Sequence, residues 1–572
     1  MKKIVRINMS TLKVADEAID TGMDFFGGRG LAAHILSHEV DPNVHPLDKK
    51  NKIVIAPGLF AGTIIPCTSR LSVGSKSPLT GGIKESNVGG PIAQQLGRRD
   101  IAAIVLEGQP SSGWYVISVG EKGDVQLDEA DGIQGLGNYE TVQRLHETYG
   151  KRVSIMSIGR AGEMRLPVAT IAATDGDGFP SRHAGRGGLG AVLGSKHIKA
   201  VVVQNVTADN TQIVDRNLLT ECLKEFSAFV RKVNVNNNRF GTASLIKVVN
   251  EFKALPTRNF TSGQFDRAEN ISGEKITEVI SKRGGKTGHA CYPGCVIKCS
   301  HIFNDKAGNY VTSKLEYETV AMLGANVGIG EIDDIARIDQ ICGDLGIDTI
   351  ETGATIGVLM HCGYIAFGDS SAVINLLSEI QKGTVVGRLI GSGCAAAARA
   401  FGNSRVPVVK GQALPAYDPR AFKGMGVTFA TSPMGADHTA GPIFPGMGKL
   451  DPRKPTGQAE LSKDLQIACA ALDNFGLCLF TSPSSKTLEF IGKFIKALTG
   501  TALDSSQIQQ IGKKILALEY DFNERAGLGA GTDELPYFFR EESLTDLDSV
   551  FDVPKEKLRA VREAFKIANG GH

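Results

Sequence analysis

The sequence predicts an α+β protein: a β-rich first domain followed by two mainly helical ones. Three observations carry this. Short β-branched runs bounded by Gly, Pro or charge recur up to about residue 205. Apolar residues at helical spacing take over beyond it. The conspicuous glycine clusters lie almost wholly in the first part. At 572 residues the chain is too long for one compact core. The divisions fall at residues 1–205, 206–413 and 414–572.

Taken in order, the start Met1-Lys-Lys-Ile-Val-Arg-Ile-Asn alternates like a strand and lacks the apolar block of a signal peptide. Lys52-Ile-Val-Ile-Ala, Asp100-Ile-Ala-Ala-Ile-Val-Leu-Glu, Gly113-Trp-Tyr-Val-Ile-Ser-Val and Lys199-Ala-Val-Val-Val read as further strands. Arg216-Asn-Leu-Leu-Thr-Glu-Cys-Leu-Lys-Glu-Phe opens the helical part. Ile332-Asp-Asp-Ile-Ala-Arg-Ile-Asp-Gln-Ile-Cys and Ala372-Val-Ile-Asn-Leu-Leu-Ser-Glu-Ile-Gln-Lys continue it. Pro and Gly punctuate Leu414 to Gly426 like a boundary, and helical spacing resumes as far as Lys555-Glu-Lys-Leu-Arg-Ala-Val-Arg-Glu-Ala-Phe. A net charge of +2 offers no bulk attraction to nucleic acid or an acidic membrane surface. No apolar stretch is long enough to span a bilayer, so no membrane partner is expected. The expected compartment is the cytoplasm, where thiols stay reduced. The ten cysteines then read as metal ligands or core residues rather than disulfides.

Three of them, Cys291, Cys295 and Cys299, stand at C-x3-C-x3-C in His289-Ala-Cys-Tyr-Pro-Gly-Cys-Val-Ile-Lys-Cys. Pro293 and Gly294 break any buried helix there, so the thiols can loop around one small object. Zinc is one reading, but its usual pairs want a fourth ligand at characteristic spacing. A three-Cys cluster with one open iron is a second, although its pattern has a shorter second gap. A [4Fe-4S] cluster wants four thiolates, commonly three close together and one remote. Cys222, Cys342, Cys362, Cys394 and Cys469 sit in apolar helical settings and read as buried small hydrophobes. Cys478, in Leu472-Asp-Asn-Phe-Gly-Leu-Cys, follows a Gly able to end a helix and is the better candidate for a remote ligand.

Sixty-eight glycines suggest backbone packed tightly against something flat or phosphorylated. Gly185-Arg-Gly-Gly-Leu-Gly-Ala-Val-Leu-Gly-Ser-Lys is not a P-loop, since the order Gly-Lys-Ser/Thr is absent. No strand is read close before it, so it is a weak dinucleotide fingerprint. Its amides, with Arg182 and Arg186, are left as a generic phosphate site or a tight turn, as are Arg70 and Asn87-Val-Gly-Gly.

Together these segments resemble the aldehyde:ferredoxin oxidoreductase family of tungstopterin enzymes. The resemblance rests on Gly27-Gly-Arg-Gly-Leu-Ala, Lys76-Ser-Pro-Leu-Thr-Gly, Asn87-Val-Gly-Gly, the run from Ala184 to Lys196, Glu316-Tyr-Glu-Thr, Ala416-Tyr-Asp-Pro-Arg and Asp473-Asn-Phe-Gly-Leu-Cys, in that order along nearly the whole chain. It implies a tungsten or molybdenum held by two pyranopterins without a protein ligand, one [4Fe-4S] cluster and a magnesium ion. Asn87 and His183 match positions whose backbone carbonyls bind the magnesium. Gly89, Arg182 and Gly185 match neighbouring cofactor contacts, and Arg70 matches an arginine between pterin and cluster. Asp473, Leu477 and Leu479 match one pterin motif, with Cys478 as fourth cluster ligand beside Cys291, Cys295 and Cys299. Glu318 and His438 match acid/base residues, and Tyr417 a position near the substrate.

The resemblance also implies oxidation of a small aldehyde to a carboxylic acid, with electrons passed to ferredoxin or a separate iron–sulfur subunit. Alternatives within it are another substrate, such as reduction of an aromatic thioester, and a non-catalytic electron-transfer subunit of a larger complex. Several departures matter. The second pterin motif begins with Gly343 rather than Asp, in Gly343-Asp-Leu-Gly-Ile-Asp348, leaving Ile347 and Asp348. Either that pterin loses a carboxylate contact or Asp344 substitutes. The first gap between cluster cysteines is one residue longer than in familiar members. Where some members carry Glu-x-x-His for an intersubunit iron, this chain has Arg337 and Gln340, so any homo-oligomer is expected to lack that iron. Ala440 stands where a lysine is sometimes found.

Overall fold

The structure, a computed structural model, describes residues 2–19, 23, 25–207, 211–544 and 547–566. Its first part is a pair of six-stranded sheets. The first comprises β1 (Lys3–Asn8), β2 (Lys13–Ala18), β3 (Ile53–Pro57), β4 (Leu71–Lys76), β5 (Ile83–Val88) and β6 (Ile101–Glu107), in the order β2-β1-β6-β3-β4-β5. The second comprises β7 (Tyr115–Val119), β8 (Val125–Glu129), β9 (Val153–Ser157), β10 (Ile171–Ala173), β11 (Arg182–Ala184) and β12 (Ile198–Gln204), in the order β11-β10-β9-β12-β7-β8. In each sheet one neighbouring pair is parallel, β1 with β6 and β12 with β7, and the others are antiparallel.

The two-residue period of a strand decides what lies between the sheets. Val5, Ile7, Ile55 and Ile104 of the first share one core with Ile117, Met156, Ile171 and Val201 of the second. Residues of opposite parity face outward: Ile4, Val54 and Val105 meet the helix Gly28–Glu39, and Ile155, Ala200 and Val202 meet the helix Asn138–Tyr149. Both sheets end on an edge strand, and these edges, β5 and β11, pack against each other. That junction carries Asn87 and His183.

Beyond residue 211 the chain is mainly helical, with the expected helices at Arg216–Val233, Ile332–Leu345, Ser370–Lys382 and Lys555–Glu563. Asp215 caps the first of these by accepting from the Leu218 amide, a contact worth about 1 kcal/mol. Four findings depart from the sequence reading. A three-stranded sheet, Lys286–His289, Ser300–Asn304 and Tyr310–Thr312, interrupts the helices, and the loop between its first two strands holds Cys291, Cys295 and Cys299. Strand β11 does run directly into the Gly185 cluster; at three residues it is too short to show a period. Cys362 is exposed, because it caps the helix Thr349–His361 where the chain turns to solvent, while Cys222, Cys342, Cys394 and Cys469 are buried. Leu414 to Gly426 is buried along its whole length.

Most motif glycines pack against this protein's own backbone rather than facing a ligand. Gly28, at φ +42°, would put a Cβ 2.3 Å from the Asp473 carbonyl, so one helix start meets another helix end there. A Cβ on Gly190 would lie 2.3 Å from the Thr170 oxygen, and on Gly194 2.0 Å from that of Gly162. Gly89 and Gly185 differ. The first faces Cys291 Sγ at 3.4 Å, and the second meets only His183, at 3.9 Å.

Candidate active site

The helix Gln458–Phe475 stops at Gly476, whose φ of 74° turns the chain back, and Leu477 and Cys478 follow. Cys478 thereby joins Cys291, Cys295 and Cys299 in one buried cluster. Arg70 enters it, with Nη2 donating to Cys478 Sγ at 3.2 Å and its charge also close to Cys291 and Cys299. Four grouped thiols with a half-buried guanidinium beside three of them fit a thiolate-held anionic cluster, because the cation offsets charge that burial would otherwise penalise. Sequence reasoning overlooked Cys67, which is buried in the same place.

Also near Arg70 lies Asp473, in the last turn of the same helix. It accepts from Arg29 Nη1 at 3.2 Å, while Arg29 also holds Glu519 through two bonds of 2.8 Å. Glu85 is buried beside them, and burial together with Asp473 pushes its carboxyl up; burial likewise raises Asp473 against the pull of Arg29. The Arg29 guanidinium is thus shared among three carboxyl groups, an arrangement suited to a ligand edge rich in N–H donors. Arg29, Glu85 and Glu519 escaped sequence reasoning because Arg29 and Glu519 lie 490 positions apart.

His183 Nε2 and Arg182 Nε are buried without a hydrogen-bond partner, as are Glu318 Oε1 and His438 Nδ1. Such orphans require a polar occupant, so the residues fit a polar cofactor and substrate. Asn87 and His183 lie on the two touching sheet edges, and an edge strand leaves carbonyls free for a cation. Arg182 donates to Glu316 at 3.0 Å and to the Ser313 carbonyl. Arg186 is spent on the protein: it donates to the carbonyls of Ala413 and Ala436 and to Asp348, so the generic phosphate reading fails for it.

The second motif is altered as a unit. A Cβ at Gly343 would meet Lys314 Nζ at 3.2 Å, so an ammonium occupies the neighbourhood of the missing carboxylate, itself paired with Asp339 at 3.2 Å. The Asp344 carboxylate is instead engaged with the protein: it accepts from the Tyr139 amide at 3.1 Å and lies against Gly137, about 100° round the helix from Gly343. Asp348 caps the helix Thr349–His361 through the Ile350 amide and binds Arg186, and Ile347 is buried. Leu477 is buried and Leu479 half-buried next to Cys478.

Glu318, on the short helix Tyr317–Leu323, is half-buried and turned towards the interior. Oε2 accepts from the Ala416 amide at 2.8 Å, and Oε1 lies 3.6 Å from His438 Nε2. Burial raises its pKa although His438 pulls the other way. Asp437, next in sequence to His438, behaves oppositely. Burial would raise it, but Lys84 at 2.7 Å and Arg186 hold it well below the usual carboxylate range. Of the two carboxyls, Asp437 is held ionised by its cations, while burial makes Glu318 the easier to protonate. The Tyr417 ring lies 6.2 Å from His438 and stacks on Tyr317 at 5.0 Å; burial keeps its phenol protonated. Behind Tyr417, Phe422 and Phe444 form one wall of an apolar cavity of ≈ 410 Å³, with Leu245, Val248 and Phe252 opposite. Arg337 and Gln340 hydrogen-bond to each other at 2.9 Å on an exposed helix face.

A mixed scaffold of two packed sheets and a helical half thus brings together a group of cysteine thiols and a carboxylate–imidazole pair. The family profile for the aldehyde ferredoxin oxidoreductase N-terminal domain matches residues 4–205, and that for its domains 2 and 3 matches residues 221–566. The chain belongs to the aldehyde ferredoxin oxidoreductase family, and it is an enzyme of the oxidoreductase class. It is 32% identical to tungsten-containing aldehyde ferredoxin oxidoreductases of Pyrococcus furiosus and Thermococcus kodakarensis, over 95% of this chain and 92% of each relative. It is 25% identical to the aliphatic sulfonate oxidoreductase WOR-like subunit of Pyrococcus furiosus, over 90% of this chain and 85% of that one. Among solved structures it shares the fold of the active-site complex of a benzoyl coenzyme A reductase, with a TM-score of 0.80 at 19% identity, covering 98% of this chain and 97% of that one. No helix among the described residues is long and apolar enough to cross a membrane.

Proposed function

We propose that this enzyme oxidises an aldehyde and water to a carboxylic acid, releasing two protons and two electrons. The electrons pass through a [4Fe-4S] cluster to ferredoxin or a separate iron–sulfur subunit. The observation that carries this reading is the convergence of Cys291, Cys299 and Cys478 on Arg70, with Cys295 in the same cluster and Asp473 near the same guanidinium. Arg70 would neutralise both anionic groups, Asp473 would accept from the N–H edge of one pterin, and Asn87 and His183 would offer backbone carbonyls to magnesium. A bis-pyranopterin tungsten, with molybdenum as the alternative, supplies the two-electron oxidation when bound.

The protein's part is to bind, orient and move protons. Tyr417 and His438 donate to the aldehyde oxygen, polarising the carbonyl. Glu318, held by the Ala416 amide at 2.8 Å, accepts the proton of the attacking water through the oxygen that has no partner. The apolar cavity behind Tyr417 favours a substrate with an uncharged hydrocarbon tail over a charged thioester carrier. Elemental analysis of anaerobically purified protein, joined to aldehyde-dependent reduction of ferredoxin, tests the proposal. Tungsten or molybdenum and iron are expected at about one to four; iron without either metal, or metal without aldehyde turnover, would count against it.

A further inference from the structure

The thiol group approaches the surface on one side, and the surface there carries charge of one sign. Cys291 and Cys299 are half-buried, and Pro293, Gly294 and Lys298 in the same loop are exposed. Two elements flank this loop. The short helix Val235–Phe240 has no buried residue, and Asn238 Nδ2 donates from it to the Ile297 oxygen at 3.1 Å. A Cβ on Gly288, in the strand Lys286–His289, would lie 3.6 Å from the Asn238 oxygen, so strand, helix and loop are neighbours. Asn234, just before that helix, donates to the Phe480 oxygen at 2.7 Å, two residues beyond Cys478.

No Asp or Glu occurs between Glu225 and Glu251, or between Glu278 and Asp305, although the whole chain is almost neutral at +2. Of the basic residues in those two stretches, Lys247, Lys282 and Arg283 are paired with Glu269, Glu278 and Asp333. Arg231, Lys232, Arg239, Lys286 and Lys298 are exposed and have no ion pair among the described residues. Val233 and Val235, 49% and 63% exposed, add apolar surface between Lys232 and Arg239. Asp177 borders the strand, 3.6 Å from His289.

We propose that this face docks the electron acceptor, and that the acceptor is a small iron–sulfur protein with an acidic surface. The inference rests on the electron-transfer reading above. Each encounter passes one electron, oxidising this enzyme's cluster and reducing the carrier's, with no proton moved. Encounters of this kind bury little surface, below about 1,200 Å², so charge rather than apolar area selects the partner. Complementary charge speeds association, and added salt removes the gain. A second copy of this chain would bring like charge to the same face.

The test follows aldehyde-dependent reduction of a purified acidic ferredoxin and, in parallel, of the small dye benzyl viologen, with anaerobically purified holoenzyme. In the parent, kcat/KM for ferredoxin should fall as ionic strength rises, while dye reduction should not. The combined variant Arg231→Glu, Lys232→Glu, Arg239→Glu and Lys286→Glu should keep its iron and its dye activity. Its kcat/KM for ferredoxin at low salt should drop by about 10–10³-fold, and its salt dependence should flatten or invert. Arg388→Glu with Arg399→Glu, exposed on the helices Val385–Ile390 and Cys394–Ala400, should behave like the parent. Parent-like ferredoxin kinetics in the four-charge variant, or an equal loss in the two-charge control, would overturn the proposal. If the four-charge variant lost iron, the parent's salt response would decide, and no response would overturn it. A parent that reduces the dye but not ferredoxin would also overturn it. A parent that reduces neither acceptor would instead overturn the electron-transfer reading itself.

Discussion

Around Cys295 and Cys478 the hydrogen-bond donors are the Lys298 amide and the Arg70 guanidinium. Around Glu318 and His438, by contrast, one oxygen and one nitrogen are buried with no hydrogen-bond partner. An electron relay changes charge without moving atoms, so donors fixed by the fold suit it. Proton transfer needs a group whose next hydrogen bond is to the reactant. On the proposed reading, the thiol side carries electrons and the carboxylate–imidazole side protons.

Breaking the thiol side should have the largest effect. Cys478→Ala is expected to lose iron and the reduced-cluster paramagnetic signal, and to leave turnover at background with ferredoxin. Iron analysis and spectroscopy check this, and a fully normal cluster in that variant would show that the fourth ligand lies elsewhere.

A smaller but still large loss is expected across the other pocket. Glu318→Gln and His438→Asn should keep tungsten or molybdenum and iron yet slow aldehyde turnover by about 10²–10⁴-fold, the usual share of a positioned acid or base. Glu318 must be ionised to accept a proton, and burial raises its pKa. Activity of the parent should therefore fall as pH drops through a value above the ordinary carboxylate range, and that acidic limb should vanish in Glu318→Gln. The cluster spectrum, recorded in parallel, separates this limb from acid damage to the cluster. Near-normal turnover in both variants with intact cofactors would point instead to a non-catalytic electron-transfer subunit.

The smallest expected effect is none. Arg337 and Gln340 bond to each other and offer no carboxylate–imidazole pair, so any oligomer should sediment unchanged after anaerobic chelation. Dissociation with release of an iron outside the cluster would contradict this.

Local spacing was enough for the long strands β1, β3, β6 and β12 and for the main helices, because periods of 2 and 3.6 are written into neighbouring residues. It was also enough to mark Cys291, Cys295 and Cys299, which are close in the chain and broken by Pro and Gly. Resemblance, not spacing, singled out Glu318 and His438, whereas Cys478 was already marked by the helix-ending Gly476 before it. Strands of three residues such as β10 and β11 carry no readable period, and Lys286-Thr-Gly-His is too polar to suggest one.

The rest was decided by packing between distant segments. The Gly185 cluster has one composition throughout, yet Gly190 and Gly194 press on backbone while Gly185 is left open. Asp344 is adjacent to Gly343, but one residue of helix is a turn of about 100°, which sends it to Tyr139 and leaves Lys314 beside the vacant position. Cys67 and Arg29 reach the site only because the loop after β3 and the helix Gly28–Glu39 pack against the end of the helix Gln458–Phe475, joining groups whose separation in the chain carries no signal. Periodicity records which face of an element is buried; which atoms meet across that face depends on how whole elements pack.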